Sequence, residues 1–326
     1  MIISKTPFRV SFFGGGSDHP IWFNEYGGRV ISATINKYCY ISCRNLKPFF
    51  GNHHRLVYSK IENIKPNQTI KHHSIRAVFN FFKIKEGIEL HHDGDLPART
   101  GIGSSSSFTV GLINCIDHIY NLKLSKKKIS DYAIHIEQNI LRESVGCQDQ
   151  IAASYGGFNI IDFKSKNKYI VKKQNINSKS ILSLQNSLVL CFSGITRISN
   201  KIEKKKLEYI KRNKMTMLEM SSITNEAAKM IKGENFDLKL FGSLMKETWK
   251  LKNSLYQTVS NHKIDDIYSK GIKSGALGGK LLGAGGGGFI LFIVENEKKN
   301  YFLKKMNKLI CTPINFDSHG TKIIKC

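Results

Sequence analysis

Two acids, one arginine and three glycine-bearing segments carry the chemistry of this chain. Glu137 and Asp149 lie twelve residues apart in EQNILRESVGCQDQ. One such carboxylate can hold Mg²⁺, and the other can accept a proton from an attacking hydroxyl. Residues 96–109, LPARTGIGSSSSFT, run from a proline through a glycine turn and four serines into an apolar segment. Phe108, Leu112, Ile116 and Ile119 follow at three- and four-residue spacing, which predicts a helix capped by Ser104 or a neighbouring serine. A helix start presents unpaired N–H groups and the positive end of its dipole, so it suits a phosphate. Gly101 and Gly103 let the backbone approach that anion, and the hydroxyls add donors or oxygen ligands. The loop lacks the Lys-Ser/Thr ending of a Walker A motif. A flexible serine linker is the bland alternative, but linkers seldom run straight into a helix-periodic apolar run.

Near the N-terminus, KTPFRVSFFGGGSD brings Arg9 along a strand to a glycine turn and Asp18. Arginine can neutralise phosphate charge, and aspartate can accept bonds from sugar hydroxyls. In KLLGAGGGGF, residues 280–289, glycines stand between two apolar strands. Their backbone entropy cost implies close approach to a ligand or to another loop.

The elements that must position these groups read as follows. Residues 2–11 form a strand, and a short helix runs through Tyr26, capped by Ser17 or Asp18. A strand pair covers 29–44, breaking near Asn36. Helices cover 74–82 and 125–141, and a hairpin covers 157–173. The polar stretch after Gln174 marks a boundary, giving units 1–178 and 179–326. Beyond it come a strand at 187–192, helices at 198–232, 236–255 and 264–273, strands about the glycine cluster, and a helix at 298–309. Strands and helices mix without strict βαβ alternation, which predicts an α+β fold in two domains.

At 326 residues and 41% hydrophobic content the chain has a real core. No run of about 20 apolar residues predicts a membrane span, and no signal-peptide pattern precedes the first strand. Seven cysteines without paired spacing predict reduced, mostly buried thiols and a cytoplasmic protein. The net charge of +25 comes from 41 lysines and nine arginines spread along the chain. Readers of nucleic acid favour arginine forks, so neither nucleic acid nor membrane is expected as partner. The rival from another class is a non-catalytic basic RNA-binding protein. The pairs His53-His54, His72-His73 and His91-His92 diverge too far on a strand or helix to chelate.

These motifs, in this order, resemble the GHMP kinases over nearly the whole chain. PARTGIGSSS is similar to the family's nucleotide-phosphate loop, KLLGAGGGG to its C-terminal glycine motif and TPFR…GGGSD to its N-terminal one. The spacing of Glu137 and Asp149 matches the Mg²⁺-binding and catalytic acids of galactokinase-like members. GGGSD is closer to the sugar-1-kinase branch than to galactokinases. Ser106 and Ser107 replace alanines common in the loop.

The resemblance implies an N-terminal α+β domain and a ferredoxin-like C-terminal domain with the site in the cleft between them. It implies ATP and Mg²⁺, with the phosphates on Gly101, Gly103, Ser104, Ser105, Ser106 and Ser107, and the metal on Ser105 and Glu137. Asp149 would take the proton of a sugar's anomeric hydroxyl, with Arg9 stabilising charge. Asp18, Gly285 and Gly286 would meet substrate. The implied substrate is a heptose 7-phosphate, for nucleotide-activated heptose and surface polysaccharide; L-fucose is the nearer rival. Arg197, or Lys280, would hold the distal phosphate. A homodimer is left open.

Overall fold

The computed structural model describes residues 1–176, 178–196, 207–233, 236–255 and 259–325. Two sheets organise it. In the larger, β1 (Ile2–Phe13) pairs antiparallel with β2 (Gly28–Asn45). The first half of β2 pairs with β6 (Phe158–Lys164) and its second half with β5 (Ile88–Gly94). The expected strand pair over 29–44 is therefore one strand of 18 residues. The break near Asn36 is a register shift: Pro7 faces Tyr38, but Arg9 faces Thr34. Extra residues on one strand bend it and sharpen its twist, which lets a single strand serve two partners. A small hairpin, β3 (His54–Val57) and β4 (Ile61–Ile64), and β7 (Lys168–Gln174) complete the flanks.

Helices cover this sheet. They are α1 (Pro20–Tyr26), α2 (His73–Phe81), α3 (Ser104–Tyr120), α4 (Lys126–His135) and α5 (Gln148–Tyr155). The long helix expected over 125–141 is split. After α4 the backbone widens into a π-helical turn at Ile136–Ile140, which carries Glu137. Such bulges recur at functional sites because they re-aim a side chain. α3 packs across β1 and β2 and buries Val110, Leu112, Ile113 and Ile116 completely.

The smaller sheet runs in the order β11 (Cys311–Thr312), β8 (Leu188–Phe192), β10 (Phe289–Val294), β9 (Ala276–Leu281), all antiparallel. Fourth, first, third, second is the strand order of a ferredoxin-like unit. Its helices are α7 (Lys214–Lys232), α8 (Leu238–Leu255), α9 (His262–Lys273) and α10 (Lys299–Lys305). Helix α6 (Lys179–Ser187) precedes β8. It was not expected, because its sequence follows a polar stretch that reads as a linker; Ser178 caps it by accepting from the Ile181 N–H.

The chain does not divide cleanly at 178/179. Its last strand, β12 (Lys322–Lys325), returns to the larger sheet, with Lys325 opposite Ile2. Phe316 bridges to Ile35 on the way. The Phe12 ring stacks on Phe158 at 5.5 Å and meets Phe241 and Phe316 edge-on, so the two units share one core. The expectation of reduced thiols is also corrected. Opposed register brings the Cys191 and Cys311 Cα atoms to 4.1 Å, and the two are joined in a disulfide. Cys39, Cys43, Cys115 and Cys147 are free and buried. No helix among the described residues is long and apolar enough to cross a membrane.

Candidate active site

Arg9 and Asp149 meet where β1 passes the start of α5. Arg9 is buried in β1, and Asp149 sits in the first turn of α5. The guanidinium donates Nε to Asp149 Oδ1 at 2.7 Å and Nη2 to Oδ2 at 2.6 Å. Nη1 donates to the Gly101 carbonyl at 2.7 Å. This parallel fork fixes the carboxylate in plane and ties it to the serine loop through Gly101. The Asp149 side chain keeps 24% of its surface, so the acid is held but still reachable. Gly103, with φ +76°, passes so close that a Cβ there would lie 3.2 Å from Arg9 Cγ and 3.4 Å from Asp149 Oδ2.

The serine loop divides its hydroxyls. The first residue before α3 is Gly103, so the expected serine cap is absent. Ser104 Oγ instead accepts from the Arg99 N–H. The first intrahelical bond runs from Ser107 N to Gly103 O, leaving the N–H groups of Ser104, Ser105 and Ser106 ahead of it as the anion-facing start of α3. Ser105 is exposed. Ser106 and Ser107 point inward: Ser106 Oγ donates to Glu137 Oε2 at 2.8 Å, and Ser107 Oγ donates to the Pro7 carbonyl. Helix phase thus turns the hydroxyls of Ser106 and Ser107 to the interior, where Ser106 touches Glu137, and leaves Ser105 exposed.

Glu137 is 1% exposed. Gln150 Nε2 donates to its Oε2 at 2.5 Å, beside the Ser106 bond. Its Oε1 is buried with no hydrogen-bond partner among the described residues. Burial, and then the charge of Glu143, push its carboxyl up to about 7, against the pull of the Thr109 and Ser106 hydroxyls and the Gln150 amide. A divalent cation is the ligand such an oxygen lacks. Mg²⁺ typically takes one or two carboxylates and fills the rest with phosphate oxygens and water, so this donor set fits it.

The C-terminal glycine loop locks onto the serine loop. A Cβ on Gly288, where φ is +106°, would run into the Thr100 carbonyl, and one on Gly101 would run into Leu282 O. Phe289 N donates to Thr100 O at 3.1 Å. The expected closure of one loop on the other is thus built from backbone. Gly285 and Gly286, expected to meet substrate, both lie against Val259. Gly285 packs against Val259, and Gly286 N donates to Val259 O; Gly283 and Ala284, just before them, line the cleft.

Asp18 does border that cleft, together with Arg9, Asp149, His19 and Gln148. It does not cap α1, whose preceding residue is His19. Its Oδ1 accepts from Gly16 N at 3.0 Å, and its Oδ2 from Gln148 Nε2 at 3.0 Å. Gly146 leaves room for this carboxylate that a Cβ would take. Gln148 and Gln150, flanking Asp149, were not anticipated as supports; the alternation GCQDQ is the signal that holds them. Lys252, from α8, and Lys280, from β9, also line the cleft. Arg197 lies outside the described residues. The histidine pairs serve locally: His54 Nδ1 accepts from Ile88 N, and His72 Nδ1 from Ile75 N.

Both halves of this arrangement are matched in known proteins. The family model for the GHMP kinase N-terminal domain matches residues 69–157, and that for the GHMP kinase C-terminal domain matches 228–308. The chain is 31% identical to D-glycero-alpha-D-manno-heptose 7-phosphate kinase of Campylobacter jejuni, over 94% of this chain and 93% of that protein. It is 26% identical to the bifunctional fucokinase/GDP-fucose pyrophosphorylase of Arabidopsis thaliana, over 90% of this chain but 30% of that protein. A solved D-glycero-D-manno-heptose 1-phosphate kinase from Bacteroides thetaiotaomicron shares the fold, with a TM-score of 0.76 at 23% identity, covering 100% and 99% of the two chains. Kinship at 31% identity over nearly the full length, with matches to both family models, makes this chain a member of the GHMP kinase family.

Proposed function

We propose that this kinase uses ATP to phosphorylate the anomeric hydroxyl of D-glycero-D-manno-heptose 7-phosphate. The observation that carries the reading is the Arg9–Asp149 fork, tied through Gly101 to the phosphate loop and open to the cleft. The Campylobacter jejuni relative supports the choice of sugar.

Phosphoryl transfer depends on position and charge neutralisation more than on covalent work by the protein. The N–H groups at the start of α3 and the hydroxyls of Ser104 and Ser105 receive the nucleotide phosphates. Glu137 Oε1, with Ser106 and Gln150 holding the other oxygen, would bind Mg²⁺; when bound, the ion neutralises phosphate charge. Arg9 holds both oxygens of Asp149 and leaves their remaining lone pairs toward the cleft. Asp149 accepts the proton of the anomeric hydroxyl as that oxygen attacks. Arg9, already against the carboxylate, offsets the charge that gathers there. Asp18 orients sugar hydroxyls.

The product would enter nucleotide-activated heptose for surface polysaccharide, made in the cytoplasm where ATP is supplied. The fucokinase relative favours a second reading, L-fucose as acceptor. Incubating the protein with ATP and each sugar, and following ADP release and the phosphorus NMR spectrum of the product, tests both. The expected result is a new anomeric phosphate on the heptose 7-phosphate. Turnover of fucose without turnover of the heptose overturns the first reading.

A further inference from the structure

We propose that Arg99 is a further nucleotide-binding residue, an arginine that closes over the phosphate tail of ATP once that tail rests on the start of α3. The inference rests on the ATP-dependent kinase reading and adds a residue to it.

The backbone at position 99 is fixed by its neighbours. The Arg99 N–H donates to Ser104 Oγ at 3.2 Å. Thr100 Oγ1 donates to the Pro97 carbonyl at 2.7 Å, and the Thr100 carbonyl accepts from Phe289 N. Pinned in this way, Arg99 takes φ +63°, in the left-handed region. Glycine or asparagine adopts that conformation at least cost, and a long side chain is disfavoured there. A glycine would suit this turn better, so turn geometry alone does not account for an arginine.

Composition does not account for it either. Lysines outnumber arginines 41 to nine, so in this chain a cation needed only for solvation is ordinarily a lysine. Arginine differs in its planar fork, which grips two oxygens of a carboxylate or phosphate at once. Elsewhere the guanidinium groups meet acids: Arg9 holds Asp149, Arg29 holds Asp162, and Arg44 and Arg55 share Glu89. The Arg99 side chain is exposed and has no hydrogen-bond or ion-pair partner among the described residues.

Its place in the fold supplies the oxygens that the fork lacks. Ser104 opens α3, and its N–H is one of those left ahead of the first intrahelical bond. A single hydrogen bond therefore separates the Arg99 main chain from the residue that opens the proposed phosphate seat. An arginine side chain is long enough to span that gap. The helix N–H groups are fixed and meet the near oxygens of a phosphate. A guanidinium swinging in from solvent meets the far ones, with charge-assisted bonds and no movement of the pinned turn.

The test compares wild type with Arg99→Gly, Arg99→Asn and Arg99→Lys. Kd for ADP with Mg²⁺ is measured calorimetrically in the absence of any sugar, together with KM for ATP and for the heptose 7-phosphate, and Tm. Gly and Asn both accept the left-handed backbone, so Tm is expected at or above the wild-type value. Both variants are nevertheless expected to weaken ADP binding and raise KM for ATP by about 10- to 100-fold, the scale of one charged hydrogen bond. KM for the sugar stays unchanged, and Lys restores part of the affinity. Unchanged ADP binding in the Gly and Asn variants overturns the inference. A loss in Gly alone assigns the effect to a loosened turn, and so does a loss accompanied by a lower Tm; either result overturns it too. In all three cases the proposed function stands. A wild-type protein that binds neither ADP nor ATP overturns the kinase reading itself.

Discussion

Asp149 and Glu137 are both acids of one short segment, yet the fold gives them opposite surroundings. Asp149 rests at a helix start, held on both oxygens by Arg9 and still partly open to the cleft. Glu137 lies on a π-helical turn, sealed from solvent, with two donors on one oxygen and none on the other. One carboxylate is kept available to a hydroxyl. The other carries a burial cost that a cation, as proposed, would relieve. The same functional group thus meets two surroundings, which is the ground for proposing two roles.

The comparison is broken most sharply at Asp149. Asp149→Asn keeps the shape but removes the base, and is expected to lower turnover by about 10²–10⁴ while ADP affinity stays near wild type. Unchanged kcat would leave the Arg9 pair with a structural role only.

Next in size is Glu137→Gln, which removes the raised titration. The native carboxyl sits at about 7 against an ordinary 4.5. Between those values the unfolded chain has lost the proton that the native protein retains, so wild-type stability falls as pH rises through this window. The loss amounts to about 3 kcal/mol by pH 8. Without metal, the Gln variant is expected to lack that slope and to resist urea better than wild type at pH 8. Its affinity for Mg²⁺-nucleotide should fall by at least about tenfold, the loss of one charged ligand. A variant with the wild-type pH slope would place the titration elsewhere.

The smallest effect is expected from Ser106→Ala. Losing one donor to Glu137 should destabilise the protein by about 1–3 kcal/mol at pH 8. The loss should shrink at pH 5, where the carboxyl is protonated. Urea midpoints at the two values measure it, and an equal loss at both would mean that Ser106 matters for packing alone.

Much of this site is legible before folding. Proline, glycines and serines ahead of an apolar period mark the start of α3, and the glycine cluster announces a close approach. What escapes is whatever depends on phase or on distant partners. Which serine meets Glu137 follows from the helix beginning after Gly103, one residue away from the expected cap. The packing of Gly285 depends on Val259, and the burial of Lys252 on strands far along the chain. Only the alternation in GCQDQ hinted that glutamines support Asp18 and Glu137 from either side of Asp149.

The pairing of Ile2 with Lys325 has a consequence for biogenesis. Three hundred or so residues separate β1 from β12 along the chain, so this edge of β1 stays unzipped until residues 322–325 have been made. Thr6 likewise waits for Thr321, whose hydroxyl it meets at 2.8 Å. The hydroxyl-bonded seam beside the Arg9 strand therefore cannot close before the segment that follows β11 has been synthesised.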